Sequence, residues 1–380
     1  MLNITVEGKE LKGIIEKALC NMDKKSALPI LKTVLLHNEN GKLAAITSKI
    51  SEYLEIRTED YISKSDGKIA IAEEDLKVLL KMTGSVELTE TEENVIVKNG
   101  KKTISLMKYD VSQFPESPDG DFEAKVQMHE SEFAETIANL AVFTSDCEAN
   151  KIMQCLHFNL SESRIEALDG HRIGMKRIED TQQVRLGNFM LHNTIILDLK
   201  KSLDKKSAAN IVISVGEKFN KVSGKNFTYY TKRVDGEYFR VKQMLTTETN
   251  TSCKTDKNGF LDKIKYYTDN VISKDYDRKP VVLKITDGKI ITYGRNTRFE
   301  VSDEMEITDF YGKELSIGFN PRFLLEALKV ADTKNVTMRF TNLKAPLFMD
   351  ADKYSFCILP VNCQFELEAM ETYLNKVNAE

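Results

Sequence analysis

The string best equipped for chemistry is Leu168-Asp169-Gly170-His171-Arg172-Ile173. A carboxylate and an imidazole two residues apart could act as acid and base, but nothing beside them supplies a nucleophile. The same residues also read as a tight turn with Gly170 at positive φ, or as a recognition turn exposing a His-Arg pair. No phosphate-cradling loop is present, since Gly216-Glu217-Lys218 and Gly224-Lys225 lack the required frame. The five His residues contain no i,i+4 pair for a metal. His157 sits in an alternating strand and is expected to face solvent, and His129 precedes a helix start. The six Cys are dispersed with no C-x-x-C pair, so buried reduced thiols are expected rather than zinc or a disulfide framework. The chain reads as non-enzymatic, with no cofactor and no metal.

Lysine placement is the second chemical signal. Lys200, Lys201, Lys205 and Lys206 follow one helix start, and Lys24 and Lys25 end the first helix. Lys77 and Lys81 lie on the second helix, Lys263 and Lys265 on the fifth. Acids gather in first turns instead, as in Glu73-Glu74-Asp75 and Glu130-Ser131-Glu132, where the helix dipole favours them. Such faces are either ordinary solvated surfaces or a joint positive field for a polyanion such as DNA. The helix from Glu130 carries no base in its first three turns, so the field is not uniform.

The elements that must carry these residues form a long repeat, recurring roughly every 125 residues. Each copy opens with a helix: Leu11, Ile14, Ile15, Ala18 and Leu19 lie on one face of the first, Phe133 and Ile137 on the next, Phe260 and Ile264 on the third. A hairpin follows each. Asn40-Gly41 and Asp287-Gly288 punctuate the first and third hairpins, and Leu160 to Ser163 the second. A second helix follows: from Glu73 with Leu76, Leu79 and Leu80; from an Asn193 cap with Ile196, Leu199 and Leu203; from Asn320-Pro321 with Leu324, Leu325 and Leu328. Short strands at Val86-Leu88, Ile211-Ile213 and Val336-Met338 complete the copies. The apolar stripe of each helix must cover a sheet, so the fold class is α+β with three homologous domains. The expected ranges are 1–120, 121–247 and 248–363, with 364–380 as an extension.

Composition agrees with a folded chain: 380 residues, 41% hydrophobic, 29% charged and net charge −4. That excludes disorder, and no window has the ~20 apolar residues of a membrane span. The start of the chain has no apolar signal region, so a cytoplasmic location without membrane contact is expected. A net charge of −4 is compatible with a basic surface on an acidic body.

Together these strings make the chain resemble the bacterial DNA sliding clamp family, the beta subunit of DNA polymerase III. The resemblance covers about residues 1–363. It rests on Leu28-Pro29-Ile30-Leu31, Asp169-Gly170-His171-Arg172, Val234-Asp235-Gly236, the run Phe319 to Leu328 and Ile358-Leu359-Pro360-Val361, in that order. It implies a head-to-tail homodimer, a six-domain ring with helices inside and sheets outside, that encircles duplex DNA without reading sequence. The implied function is a polymerase processivity factor. The implied partners are the replicative polymerase, the clamp loader, and repair and translesion proteins, all docking through short apolar peptides.

Carried over by motif, the implied peptide pocket lies between the second and third domains. It comprises Ile152, Leu168, Gly170, His171, Arg172, Ile173, Phe239, Gln243, Met244, Asn320, Phe323, Leu359, Pro360 and Val361. The implied DNA contacts are the ten lysines above. The implied subunit contact joins the first domain to the partner's third, through Leu79, Leu80, strand Thr103 to Lys108, Val271, Ile272, and strand Arg298 to Asp303 including Glu300. Three features depart from the family pattern. Phe239 and Gln243 stand where members usually carry Pro and Arg; Asn362 replaces a basic residue; and Gln364 to Glu380 extends the chain, as a short amphipathic helix beside the pocket or as a frayed tail. The alternative reading is a three-domain protein-interaction scaffold that does not encircle DNA.

Overall fold

A computed structural model describes residues 1–179, 187–245, 248–271 and 279–377, with the backbone of 183–184. The first third runs β1 (Asn3–Glu7), α1 (Gly8–Ala18), β2 (Thr33–Glu39), β3 (Lys42–Ser48), β4 (Glu52–Thr58), β5 (Tyr61–Ser65), β6 (Gly67–Ala72), α2 (Glu73–Leu79), β7 (Ser85–Glu90), β8 (Asn94–Asn99) and β9 (Lys102–Met107). The second repeats that order: β10 (Glu123–His129), α3 (Glu130–Ala141), β11 (Cys155–Asn159), β12 (Arg164–Leu168), β13 (Arg172–Arg177), β14 (Gln183–Val184), β15 (Phe189–His192), α4 (Ile195–Leu199), β16 (Asn210–Val215), β17 (Phe219–Ser223) and β18 (Phe227–Lys232). A one-turn helix, α5 (Val241–Leu245), sits in the next connection. The last third is β19 (Thr251–Asp256), α6 (Lys257–Asn270), β20 (Val281–Thr286), β21 (Lys289–Arg295), β22 (Glu300–Glu306), β23 (Thr308–Tyr311), β24 (Leu315–Phe319), α7 (Pro321–Val330), β25 (Asn335–Phe340), β26 (Leu347–Asp350) and β27 (Tyr354–Ile358), followed by α8 (Gln364–Val377). Each third is therefore one strand, a helix, five strands, a helix and three strands. The sequence pattern gives only about three strands between the helices, because β5 and β23 are largely exposed and carry little alternation.

The predicted local signals are visible. Leu11, Ile14, Ile15 and Ala18 are the buried stripe of α1. Asn40 and Gly41 both have positive φ in the two-residue turn joining Glu39 to Lys42, the geometry such hairpins need. Asn320 caps α7, its side chain accepting from the Arg322 backbone N–H at 3.0 Å, with Pro321 at the first helical position. Asp256 caps α6 in the same way through the Gly259 N–H at 2.7 Å. The second copy's α4 differs from expectation. It starts at Ile195 after Thr194, and its buried residues are Ile195, Asp198 and Leu199 rather than a face through Ile196 and Leu203. The fully buried Asp198 is held by Lys49 and by the Tyr229 hydroxyl, which donates at 2.8 Å. Burial pushes the Asp198 carboxyl up, against the pull of Lys49.

The contacts define two compact units that cut across the three copies. Unit 1 joins Met1–Ala138 to Glu179–Asp235. It holds a five-stranded sheet, β5-β1-β7-β8-β9, and a nine-stranded sheet, β14-β10-β16-β17-β18-β4-β3-β2-β6. Unit 2 joins Asn139–Ile178 to Gly236–Glu380. It holds the run β11-β12-β13-β27-β26-β25-β19-β23 and a four-stranded sheet, β22-β21-β20-β24. The cause is strand pairing between copies. β18 pairs with β4, Tyr230 opposite Tyr53, and β13 pairs with β27, Ile173 opposite Cys357. β9 and β22 are edge strands of their sheets.

Two expectations are corrected. All six Cys are free, but Cys147 is exposed and Cys20 half-buried; only the other four lie in the core. Cys147 is in the loop after α3, outside any sheet. The C-terminal segment is a helix, and it docks on the four-stranded sheet rather than at the expected pocket. Met370 is 1% exposed against Val282, Tyr293 and Cys363, with Leu367, Tyr373 and Leu374 packed beside it. Phe365 is on the outer face, 76% exposed. Met370→Ala should lower unfolding free energy by about 2–4 kcal/mol, the usual cost of a core truncation. An unchanged denaturant midpoint would show that α8 is not docked in solution.

Candidate functional site

The Asp169–Arg172 turn belongs to unit 2 and is fixed by its own side chains. Gly170 takes φ +88°, which a Cβ would strain. Asp169 Oδ1 accepts from the backbone N–H groups of His171 at 2.9 Å and Arg172 at 3.0 Å, and Oδ2 accepts from Arg172 Nε at 2.9 Å. Both oxygens of this carboxylate are committed to shaping the turn. The exposed His-Arg pair is half right. His171 is exposed, but Arg172 is 8% exposed, because β13 carries it inward.

Arg172 organises one half of the site. Its guanidinium lies between the rings of Phe143 at 5.1 Å and Phe323 at 4.4 Å. Nη1 pairs with Glu326 on α7, and Nη2 donates to the Val142 carbonyl at 2.6 Å. Such a forked, stacked arrangement is specific to arginine. His171 stacks on the far part of the same shelf, 6.0 Å from the Phe323 ring. Leu359, 41% exposed, is brought alongside by its backbone N–H, which donates to the His171 carbonyl at 2.9 Å.

The other half is apolar. Leu168, Ile173 and Phe239 join one cluster. That cluster also takes in Met175, Val241, Phe348 and Cys357, and rests on Met153, Tyr238 and Leu245. Sequence reasoning missed the last seven. Val241 and Leu245 four residues apart in α5 were a visible signal, whereas Cys357 gave none because its neighbours Phe356 and Ile358 are also buried. Burial pushes the Cys357 thiol up to about 12, so it is an inert wall atom. Gly236 meets Ile152, whose Cδ1 would lie 2.9 Å from an added Cβ. Met244 is 46% exposed on α5, and Gln243 is exposed beside it. Asn320 is committed to capping α7, and the Val361 N–H donates to the Gly318 carbonyl at 2.9 Å, which ties it and Pro360 toward the four-stranded sheet. A cleft of about 350 Å³ opens along the cluster, lined by Met175, Leu245, Phe348 and Arg339 among others.

Beneath the apolar half lies a buried polar group of residues. Glu166 is fully buried and accepts from Arg164 Nε at 2.6 Å and Asn159 Nδ2 at 3.3 Å; His157 Nδ1 is 2.8 Å away. The His157 ring stacks on Tyr238 at 4.4 Å, and Tyr238 meets Phe239 edge to face at 5.8 Å. His157 is therefore buried, correcting the expectation that it faces solvent; every residue of β11 is buried, so both its faces are covered. Burial pushes the Glu166 carboxyl up, but hydrogen bonds from His157 and Arg164 outweigh it and leave the pKa below the usual value.

The lysines divide. In unit 1, Lys25, Lys77, Lys81, Lys200, Lys201, Lys205 and Lys206 are exposed, and Lys24 is ion-paired with Glu73. α4, which Lys200 and Lys201 follow, packs against the turn at Leu19–Asn21. In unit 2, Lys265 is exposed, but Lys263 is drawn to Asp303 on β22 at 2.6 Å. Of the subunit-contact residues, Leu80 is half-buried, and Arg298 and Glu300 are exposed. Leu79 and Val271 are buried inside a single chain, 1% and 2% exposed, because α2 and α6 need them for their own cores. They are corrected to core residues. Ile272 lies outside the described residues.

A threefold order of strands and helices running through the chain is the architecture of the DNA clamp fold. Residues 242–359 match the family model for the DNA polymerase III beta subunit, C-terminal domain. The beta sliding clamp of Haemophilus influenzae is 21% identical over 368 residues, 96% of either chain. The sliding clamp of Bacillus subtilis superposes with a TM-score of 0.89 at 19% identity, covering 95% of this chain and 99% of that one. The polymerase beta subunit of Streptococcus pyogenes gives 0.87 at 19% identity, covering 95% and 100%. The likeness to the bacterial sliding clamps thus runs along nearly the whole chain, and the fold is theirs.

Glu166→Gln should cost about 1–3 kcal/mol at pH 7, the scale for losing charged hydrogen bonds in a buried group. A carboxylate with a lowered folded pKa contributes stability above its unfolded value, near 4.5, and loses it as pH falls through the folded value. The gap between wild type and Glu166→Gln should therefore narrow on acidification below about pH 4.5. Chemical denaturation at pH 7 and pH 3.5 checks this; a constant gap refutes it.

Proposed function

We propose that this protein is a non-catalytic polymerase processivity factor, a clamp that closes around duplex DNA as a head-to-tail homodimer. The observation carrying this reading is the complete threefold repeat combined with sliding-clamp likeness over 96% of the chain. The domain ranges 1–120, 121–247 and 248–363 follow the repeat, with α8 within 364–380. Closure would pair the edge strand β9 with the partner's edge strand β22 and so remove both exposed edges. Charge supports it: exposed Lys101 and Lys102 stand at the start of β9, while β22 carries exposed Glu300 and Glu306; Lys108, Asp303 and Glu304 are already paired with Glu90, Lys263 and Lys289. Leu80 and Arg298 would sit at its margins.

Retention on DNA would be topological, so phosphate contacts can be few, weak and salt-sensitive. The exposed lysines of unit 1 and Lys265 suit that task; Lys24 and Lys263 would first have to leave their carboxylates. The unit 2 site is read as the dock for short apolar peptides of the polymerase, clamp loader and repair proteins. Phe239, Leu359 and Met244 offer accessible apolar contact, and His171 with Phe323 forms a flat shelf. Such a factor works in the cytoplasm. Among the described residues no helix is long and apolar enough to cross a membrane.

Light scattering at micromolar concentration should give twice the 43.2 kDa chain mass. Loaded protein should stay on nicked circular DNA and leave when the circle is linearised. A mass of one chain at every concentration, or equal retention on circular and linear DNA, sinks the proposal.

A further inference from the structure

The unit 2 site has a structural counterpart in unit 1. In unit 2, β13 pairs with β27 so that Ile173 faces Cys357 and the Leu359 N–H donates to the His171 carbonyl at 2.9 Å. In unit 1, β4 pairs with β18 so that Tyr53 faces Tyr230 and the Lys232 N–H donates to the Ser51 carbonyl at 2.7 Å. The turn residue before each carbonyl has positive φ: Gly170 at +88° and Ile50 at +71°. A linker crosses each ladder and packs aromatic side chains on it, Phe239 in unit 2 and Phe114 with Phe122 in unit 1. The two sites are the same device built twice.

Beside Phe114 a groove of about 1230 Å³ stays open along the sheet. Its walls include Ile50, Ile46, Pro115, Pro118 and Phe219, and Ile50 is 67% exposed. A β-branched residue held at positive φ and left in solvent is unusual and points to use. The linker wall, Tyr109 to Phe122, carries Asp110, Glu116, Asp119 and Asp121 and no base. Asp110 is spent on Ser112 and Gln113, whereas Glu116 and Asp119 stand exposed along the groove. Of the bases opposite, Lys68 stands exposed, so the acidic side of the groove is the linker wall alone. Arg57 binds Glu55, Thr228 and the Phe227 carbonyl, and Lys42 lies 4.0 Å from Glu59.

We propose that this groove is a second peptide dock, taking a short extended segment with apolar anchors followed by basic residues. It rests on reading the unit 2 site as a peptide pocket. The acidic linker selects the flanking positive charge, and the Ile50–Pro118 walls take the anchors.

The test is stoichiometric titration of the full-length protein with a fluorescein-labelled octapeptide carrying Leu-Phe followed by Lys-Lys. Wild type should bind two peptides per chain. Glu116→Lys with Asp119→Lys, both on the surface, should weaken one site at least tenfold, and Leu359→Asp should remove the other. One site per chain, abolished by Leu359→Asp alone, overturns the proposal and keeps the unit 2 pocket. One site abolished by the linker variant, with Leu359→Asp silent, keeps the groove and overturns the pocket. No binding to wild type overturns the groove. If Ile50→Asp converts a two-chain particle to one chain, the face joins copies of the protein and the peptide proposal fails.

Discussion

Strand pairing between copies is the constraint on which the rest depends. Each copy alone would leave the edges of β4, β18, β13 and β27 unpaired, an open invitation to aggregation. Joining β18 to β4 and β13 to β27 satisfies those backbone groups, and the register then follows from which residues must face inward. Once the ladders are set, each places a turn beside a linker. The linker has to cross the ladder, and its apolar side chains cover strand residues that would otherwise be wet.

Electrostatics then decide the finer shape. Arg172 is carried inward by β13 and survives burial because Asp169, Glu326, a carbonyl and two rings compensate its charge. The consequence is a fixed shelf formed by Phe323 and His171. Glu166 plays a similar part below the apolar half. It holds His157, which supports Tyr238, which in turn meets Phe239. Rigid walls lower the ordering cost of binding an extended segment, which matters for partners that dock through few side chains.

Much of this was legible in the residue string. The α1 stripe, the α7 cap and the Asn-Gly hairpin are local, because periodicity, capping and positive φ act within a few residues. The Asp169-Gly170-His171-Arg172 turn was also local, and so were Leu168 and Ile173 beside it. What failed did so for non-local reasons. His157 is buried because both faces of β11 are covered, which alternation alone cannot reveal. Leu79 and Val271 were offered to a partner but serve their own cores. α8 was visible as an amphipathic segment, yet its docking on Val282 and Tyr293 depends on a sheet face assembled from distant strands.

By itself, then, the sequence determined the α+β class, the threefold repeat, the turn at Gly170 and the supply of lysines near helix ends. Each of these follows from patterns of spacing and residue type within a copy. Only the tertiary structure decided that the compact units cross the copies, that Arg172 faces inward, that Lys24 and Lys263 are paired, and that Phe114 and Phe239 occupy equivalent places. Those outcomes depend on which edges pair and which charges meet across more than a hundred residues, and no local pattern encodes that choice.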